Sequence, residues 1–329
     1  MCECSAKSWV PIRLFLKIEN SILKTIAYFD MFRYPLTAAE ICRFFDSAIA
    51  EVEIEDALAG LVKRQLLYPI DEFYSLQNDP SLAERRRKGR KHADELLPIA
   101  HRIGKRLYRF PFVKGVGISG SLSKNHAEPD ADIDFFIITE EGYLWVARTL
   151  LHFLKKLSFL SGRQNWYCMN YFVDERALLI AEKNVFTGTE VITLKPVAGS
   201  AMTEFYCANQ WAFDLFPNYE WTTSMSIEKT APPLVKKWIE KLLRNKAGVK
   251  LDNYLMRVTT DRWTKKEISH KTNGKGEPMG LLAGKHFARP NPEHLQQKLL
   301  RMYDERLRRI ENEFGTNFSA HHAFRKEMI

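Results

Sequence analysis

The stretch Val113–Thr139, VKGVGISGSLSKNHAEPDADIDFFIIT, decides how the chain is read. Val113 to Ser119 alternates and is rich in β-branched residues, which predicts a buried or half-buried strand. Gly120 takes the side chain away where the backbone must turn. Ser121 then opens a short helix, and its hydroxyl together with unpaired backbone N–H groups suits a phosphate. After ten intervening residues, Asp132-Ile133-Asp134 starts a second apolar strand. The period of two puts both carboxylates on one face and Ile133 on the other. Magnesium prefers hard oxygen ligands and is commonly held by one or two carboxylates plus substrate phosphates. One strand therefore offers metal ligands, and its neighbour offers a phosphate cradle.

This arrangement resembles the nucleotidyltransferase superfamily that includes DNA polymerase β. Gly120-Ser121-Leu122-Ser123-Lys124-Asn125 is similar to the G-S-x-A-R-G block of small bacterial members, with Lys124 standing where they carry Arg. Asp130-Ala131-Asp132-Ile133-Asp134-Phe135 is similar to their S-D-x-D-L block. The resemblance implies a mixed sheet flanked by helices. It also implies Mg2+ or Mn2+ on Asp132 and Asp134, and an NTP whose phosphates meet Gly120, Ser121, Ser123 and Lys124. Members carry a third carboxylate on the following strand, which helps hold metal and accepts a proton from the attacking hydroxyl. The matching position here is Asn170, which bears no charge and cannot act as a base near neutral pH. Asp174 shares its strand parity but lies about 13 Å further along. Two readings stand: a catalyst that finds its base elsewhere, or a nucleotide-binding regulator with impaired catalysis.

The remaining chain supplies context. At 329 residues and 45% hydrophobic content it can bury more than one core. No apolar run is long enough to span a membrane and no signal-peptide pattern is present, so a cytoplasmic protein is expected. Five scattered cysteines, Cys2, Cys4, Cys42, Cys168 and Cys207, support neither a disulfide framework nor a zinc site. The net charge of +9 points to a phosphate-rich partner.

Residues 1–80 read as a winged helix-turn-helix. One helix carries Ile22, Leu23, Ile26 and Phe29. A second is opened by a Thr37–Glu40 capping box, a third runs over about Val52 to Leu66, and a hairpin turns at Asp71-Glu72. Glu51, Glu53, Glu55 and Asp56 crowd the third helix's start, where they suit the helix dipole but repel DNA phosphates. Residues 81–110 form a basic connector, interrupted at Pro98. Its Arg85, Arg86, Arg87, Lys88, Arg90 and Lys91 are a candidate contact for nucleic acid and equally a solvated face.

The core is assigned to 111–198 and a mainly helical domain to 199–329, giving an α+β chain overall. Asn184 reads as the cap of a helix through Ile192 that Pro196-Val197-Ala198-Gly199 ends, and Ser200 to Phe213 as another helix, while further on Pro217–Pro233 reads as a linker, Asn291 as a helix cap, and Asn273–Pro290 as a glycine-rich loop. That loop fails as a P-loop, because its spacer is one residue short and His286 replaces Ser or Thr. Lys285, His286 and Arg289 on it are weaker candidates to approach a triphosphate.

Overall fold

The computed structural model describes residues 9–161, 164–220, 233–269, 280–290, 295–315 and 318. The chain begins with α1 (Trp9–Asp30), α2 (Ala38–Arg43), α3 (Glu51–Lys63) and a hairpin of β1 (Tyr68–Ile70) and β2 (Phe73–Ser75). Thr37 caps α2, its hydroxyl accepting from the Glu40 amide while the Glu40 carboxylate accepts from the Thr37 amide. Ile22, Leu23, Ile26, Ile41, Ile54, Leu58 and Leu61 are fully buried among these helices. Leu36 adds a bridge to Tyr74 on the hairpin.

Next comes α4 (Ser81–Tyr108), which runs unbroken through Pro98 where an interruption is expected from sequence. Proline removes one backbone hydrogen bond. The buried face of Ala93, Ala100, Ile103 and Leu107 packs against the sheet and outweighs that loss. The central elements follow as β3 (Val113–Ile118), α5 (Gly120–Ser123), β4 (Asp134–Thr139), α6 (Leu144–Ser158), β5 (Cys168–Asp174), α7 (Val185–Thr193) and β6 (Lys195–Ala198). After them come α8 (Ala201–Ala208), α9 (Gln210–Leu215), α10 (Leu234–Leu243), α11 (Lys246–Ile268), β7 (Leu281–Ala283), β8 (Phe287–Pro290) and α12 (Gln296–Phe314).

Among the described residues, six strands form one mixed sheet in the order β6-β3-β4-β5-β8-β7. Only β4 and β5 pair in parallel, joined by the crossover helix α6, and every other neighbour is antiparallel. One face carries Val116, Ile118, Phe135, Ile137 and Phe172 toward α4 and α6. The other carries Phe136, Ile138 and Val173, whose core is continuous with the N-terminal helices. Helices thus flank a mixed sheet, which fits a nucleotidyltransferase core.

Three expectations change. Pro196 to Ala198 does not merely end α7 but forms the edge strand β6 against β3. The stretch read as one helix from Ser200 breaks at buried Asn209, whose side chain bonds the backbone of Leu178, Ile180 and Phe205. Part of the glycine-rich loop is the β7–β8 hairpin, so the C-terminal third returns two strands to the core sheet. The short apolar runs that make these strands are too brief for periodicity to classify. Cys2, Cys4, most of the Pro217–Pro233 linker and the Asn291 cap lie outside the described residues. Among the described residues, no helix is long and apolar enough to cross a membrane.

Candidate active site

The strand pair β3–β4 places the two motifs together. Ile118 pairs with Phe135, and the Ser119 amide donates to the Asp134 carbonyl, so the chain leaves β3 beside the start of β4. Gly120 has φ +69, and a Cβ there would lie 2.6 Å from Asp134 Oδ2. Both facts require glycine, because the left-handed backbone and the close carboxylate each exclude a side chain. Ser121 is exposed at the top of the turn. Ser123 is buried and donates its hydroxyl to the Gly120 carbonyl at 2.8 Å, closing the turn from below.

Asp132 and Asp134 are half-buried; β4 begins at Asp134, so Asp132 stands just ahead of the strand expected to carry it, and Ile133 between them exchanges backbone bonds with Asn165 and Cys168. Asp134 has its pKa raised to about 6. Burial is the main cause, and the neighbouring Asp132 and Glu190 charges add to it, while a hydrogen bond with the Cys168 thiol and the Lys155 charge oppose it. Among the described residues neither aspartate has an ion-pair partner, and no third His, Cys, Asp or Glu completes a cluster with them. Two hard carboxylates that repel each other favour a divalent cation, so the donor set fits magnesium or manganese.

The register of β5 places Asn170 and Asp174 apart. Met169 pairs with Phe135 and Tyr171 with Phe136, leaving Asn170 as the extra residue of a bulge. Bulges redirect a side chain. Here Asn170 is exposed and its Nδ2 donates to Asp134 Oδ1 at 3.1 Å. Asp174 instead pairs with Thr139 at the opposite end of β4, is fully buried, and bonds His286 Nδ1 at 2.8 Å.

Beside Asp134 opens a cleft of about 260 Å³. Phe136, Phe186, Val191, Leu194 and Phe205 form its apolar walls, and Asn170, Glu190 and Arg289 stand among its polar groups. Glu190 on α7 is the second carboxylate lining it, and it holds Lys124 Nζ at 2.7 Å while Nζ also donates to the Gly120 carbonyl at 3.2 Å. Arg289 grips Glu182 with both terminal nitrogens and donates to the Tyr171 hydroxyl. Glu190 has no motif signal in the sequence, since it lies on a helix that only the fold brings over the sheet. Lys285 is exposed, and His286 is committed to Asp174.

The N-terminal helices and α4 brace the Gly120–Lys124 turn. Tyr34 donates its hydroxyl to the Lys124 carbonyl at 2.6 Å, and the Arg86 guanidinium stacks 3.9 Å over the Tyr34 ring. Arg86 is buried and pairs with Glu40 at 2.6 Å. The basic run is largely consumed in this way. Arg85 pairs with Glu128, Arg87 with Asp71 and Glu72, and Lys88 with Glu84, which leaves Arg90 and Lys91 as exposed residues of the run with no ion pair among the described residues.

Comparison with known proteins agrees with this geometry. Residues 102–186 match the family model of the nucleotidyltransferase domain, a span that includes β3, the α5 turn, β4 and β5. No curated protein and no solved structure matches the chain. The matched domain and its mixed sheet support nucleotidyl transfer as the general activity.

Proposed function

We propose that the protein is a metal-dependent nucleotidyltransferase that moves a nucleoside monophosphate from an NTP to a hydroxyl-bearing acceptor. The observation that carries this reading is the close approach of Asp134 to the Gly120 turn at the edge of one cleft, with Asp132 near enough for its charge to raise the Asp134 pKa. Asp132 and Asp134 would hold Mg2+ or Mn2+. When bound, such a metal neutralises triphosphate charge and stabilises the pyrophosphate leaving group. The amides at the start of α5 and the Ser121 hydroxyl face the phosphates, and Ser123 keeps that turn closed. Lys124 exchanges Glu190 for a phosphate oxygen.

Asn170 orients one oxygen of Asp134 but cannot take a proton. Glu190, freed from Lys124, is the carboxylate within the cleft that can accept one from the acceptor. The apolar walls suit a small organic group rather than an open polymer surface. The N-terminal module acts as a winged helix of the docking kind, because Glu51, Glu53, Glu55 and Asp56 are all exposed where a DNA reader would meet phosphate. Arg90 and Lys91 are the residues of the basic run left to meet nucleic acid. A gel shift that depends on sequence and survives roughly 200 mM salt would reverse that preference.

Asn170 also favours a second reading, a nucleotide-binding regulator without transfer activity. The deciding experiment incubates the wild type and an Asp132→Ala, Asp134→Ala variant with labelled NTPs, magnesium or manganese, and a cell extract as acceptor pool. Label transfer by the wild type alone establishes catalysis. Nucleotide binding without any transfer leaves only the regulator.

A further inference from the structure

On the sheet face away from the cleft, α6 carries a buried cation that no carboxylate pairs with among the described residues. Arg148 is only 9% exposed, its Nε is buried without a hydrogen-bond partner, and no carboxylate pairs with its guanidinium among the described residues. It lies between two aromatic rings, with Cζ 5.5 Å from the Trp145 ring and 5.7 Å from that of Phe172. One turn along the same face is His152, whose ring sits 6.0 Å from Phe172 and whose buried Nε2 also lacks a partner. Nearby carboxylates are committed elsewhere: Asp252 accepts from the Trp145 and Val146 amides at 2.7 and 2.9 Å, and Asp174 is bonded to His286.

A buried guanidinium without a counter-charge costs several kcal/mol. Unmade hydrogen bonds at both Arg148 and His152 add to that cost. The arrangement makes sense if the missing partner is an anion bound from outside. The planar fork of Arg presents paired N–H groups matched to two oxygens of a phosphate or carboxylate. Neutral imidazole can donate a further N–H from Nε2.

We infer that Arg148 and His152 form a binding site for a small oxyanion, a phosphate or carboxylate group, on the opposite face of the sheet from the candidate active site. Burial is the sole cause holding the Arg148 pKa down, to about 10, with no carboxylate charge opposing it. The site stands on these residues alone and does not depend on the transfer activity.

The test uses the full chain without magnesium, at constant ionic strength set with KCl, titrated separately with inorganic phosphate and with malonate. Thermal unfolding and calorimetry are read for the wild type, Arg148→Met and Lys124→Met, the last removing the cation of the phosphate turn. The wild type should show saturable stabilisation by at least one anion, and which anion acts distinguishes a phosphate from a carboxylate site. Lys124→Met should retain that response. Arg148→Met should bind at least tenfold more weakly while melting no lower than the wild type in chloride, because it removes an unpaired buried charge. An Arg148→Met response equal to that of the wild type overturns the inference, as does a wild type that responds to neither anion. If Arg148→Met fails to fold, His152→Gln decides: at least threefold weaker binding supports the site, and unchanged binding overturns it.

Discussion

Asn170 donates its side-chain amide to Asp134 Oδ1 at 3.1 Å from a bulge in the neighbouring strand. The position is therefore aimed at the carboxylate proposed to hold metal although the residue itself has no charge. Asn170→Asp should place a third carboxylate there and tighten Mn2+ or Mg2+ binding by about tenfold, or roughly 1.4 kcal/mol. Calorimetric metal titration of the two proteins checks this. Equal affinities would mean that the bulge does not point at the metal site.

Gly120 allows the closest approach between the two motifs. Gly120→Ala forces a side chain into a left-handed backbone and against Asp134 Oδ2. A loss of about 1–3 kcal/mol in stability is expected from backbone strain and the displaced carboxylate. NTP binding should fall more than stability does. Urea unfolding and nucleotide titration, run in parallel, separate the two effects.

Tyr34 reaches from the N-terminal module to the Lys124 carbonyl. Tyr34→Phe removes that bond while keeping the ring under Arg86. At about 1 kcal/mol for one such hydrogen bond, affinity for a non-hydrolysable NTP should drop roughly fivefold. Amide exchange should quicken over residues 120–127 and leave the α1–α3 core unchanged. An exchange increase spread over the whole module would instead indicate general loosening.

His152 links acid stability to burial. Burial, aided by the Arg148, Lys155 and Lys156 charges, lowers its pKa to about 3, against an ordinary value of about 6.5. Above pH 6.5 both folded and unfolded chains carry it neutral. Below that the unfolded chain takes up a proton that the folded chain refuses, so stability falls as pH drops from about 6.5 toward 3. The loss at pH 5.5 should be about 1.4 kcal/mol relative to pH 7.5. His152→Gln should lose stability by that much less over the same interval in chemical denaturation.

Much of the site was legible in the chain itself. Gly120-Ser121 is a local pattern, a turn needing positive φ followed by an exposed residue, whereas β4 begins at Asp134 and leaves Asp132 just ahead of the strand that the period of two assumed. The Thr37–Glu40 box and the Asn184 cap of α7 are equally local, since each side chain bonds an amide three residues away. These features require no distant partner, so residue order was sufficient.

Tertiary structure decided everything that depends on distant neighbours. The β7–β8 hairpin and β6 enter the sheet because open strand edges need hydrogen-bond partners, which no sequence period announces. Charge in the basic run is spent on carboxylates up to 46 residues away, as in the Arg86–Glu40 pair. Parity alone left Asn170 and Asp174 in competition. A single bulge residue turned Asn170 to Asp134 and left Asp174 buried at the strand's far end, because one extra residue shifts every later side chain in the ladder.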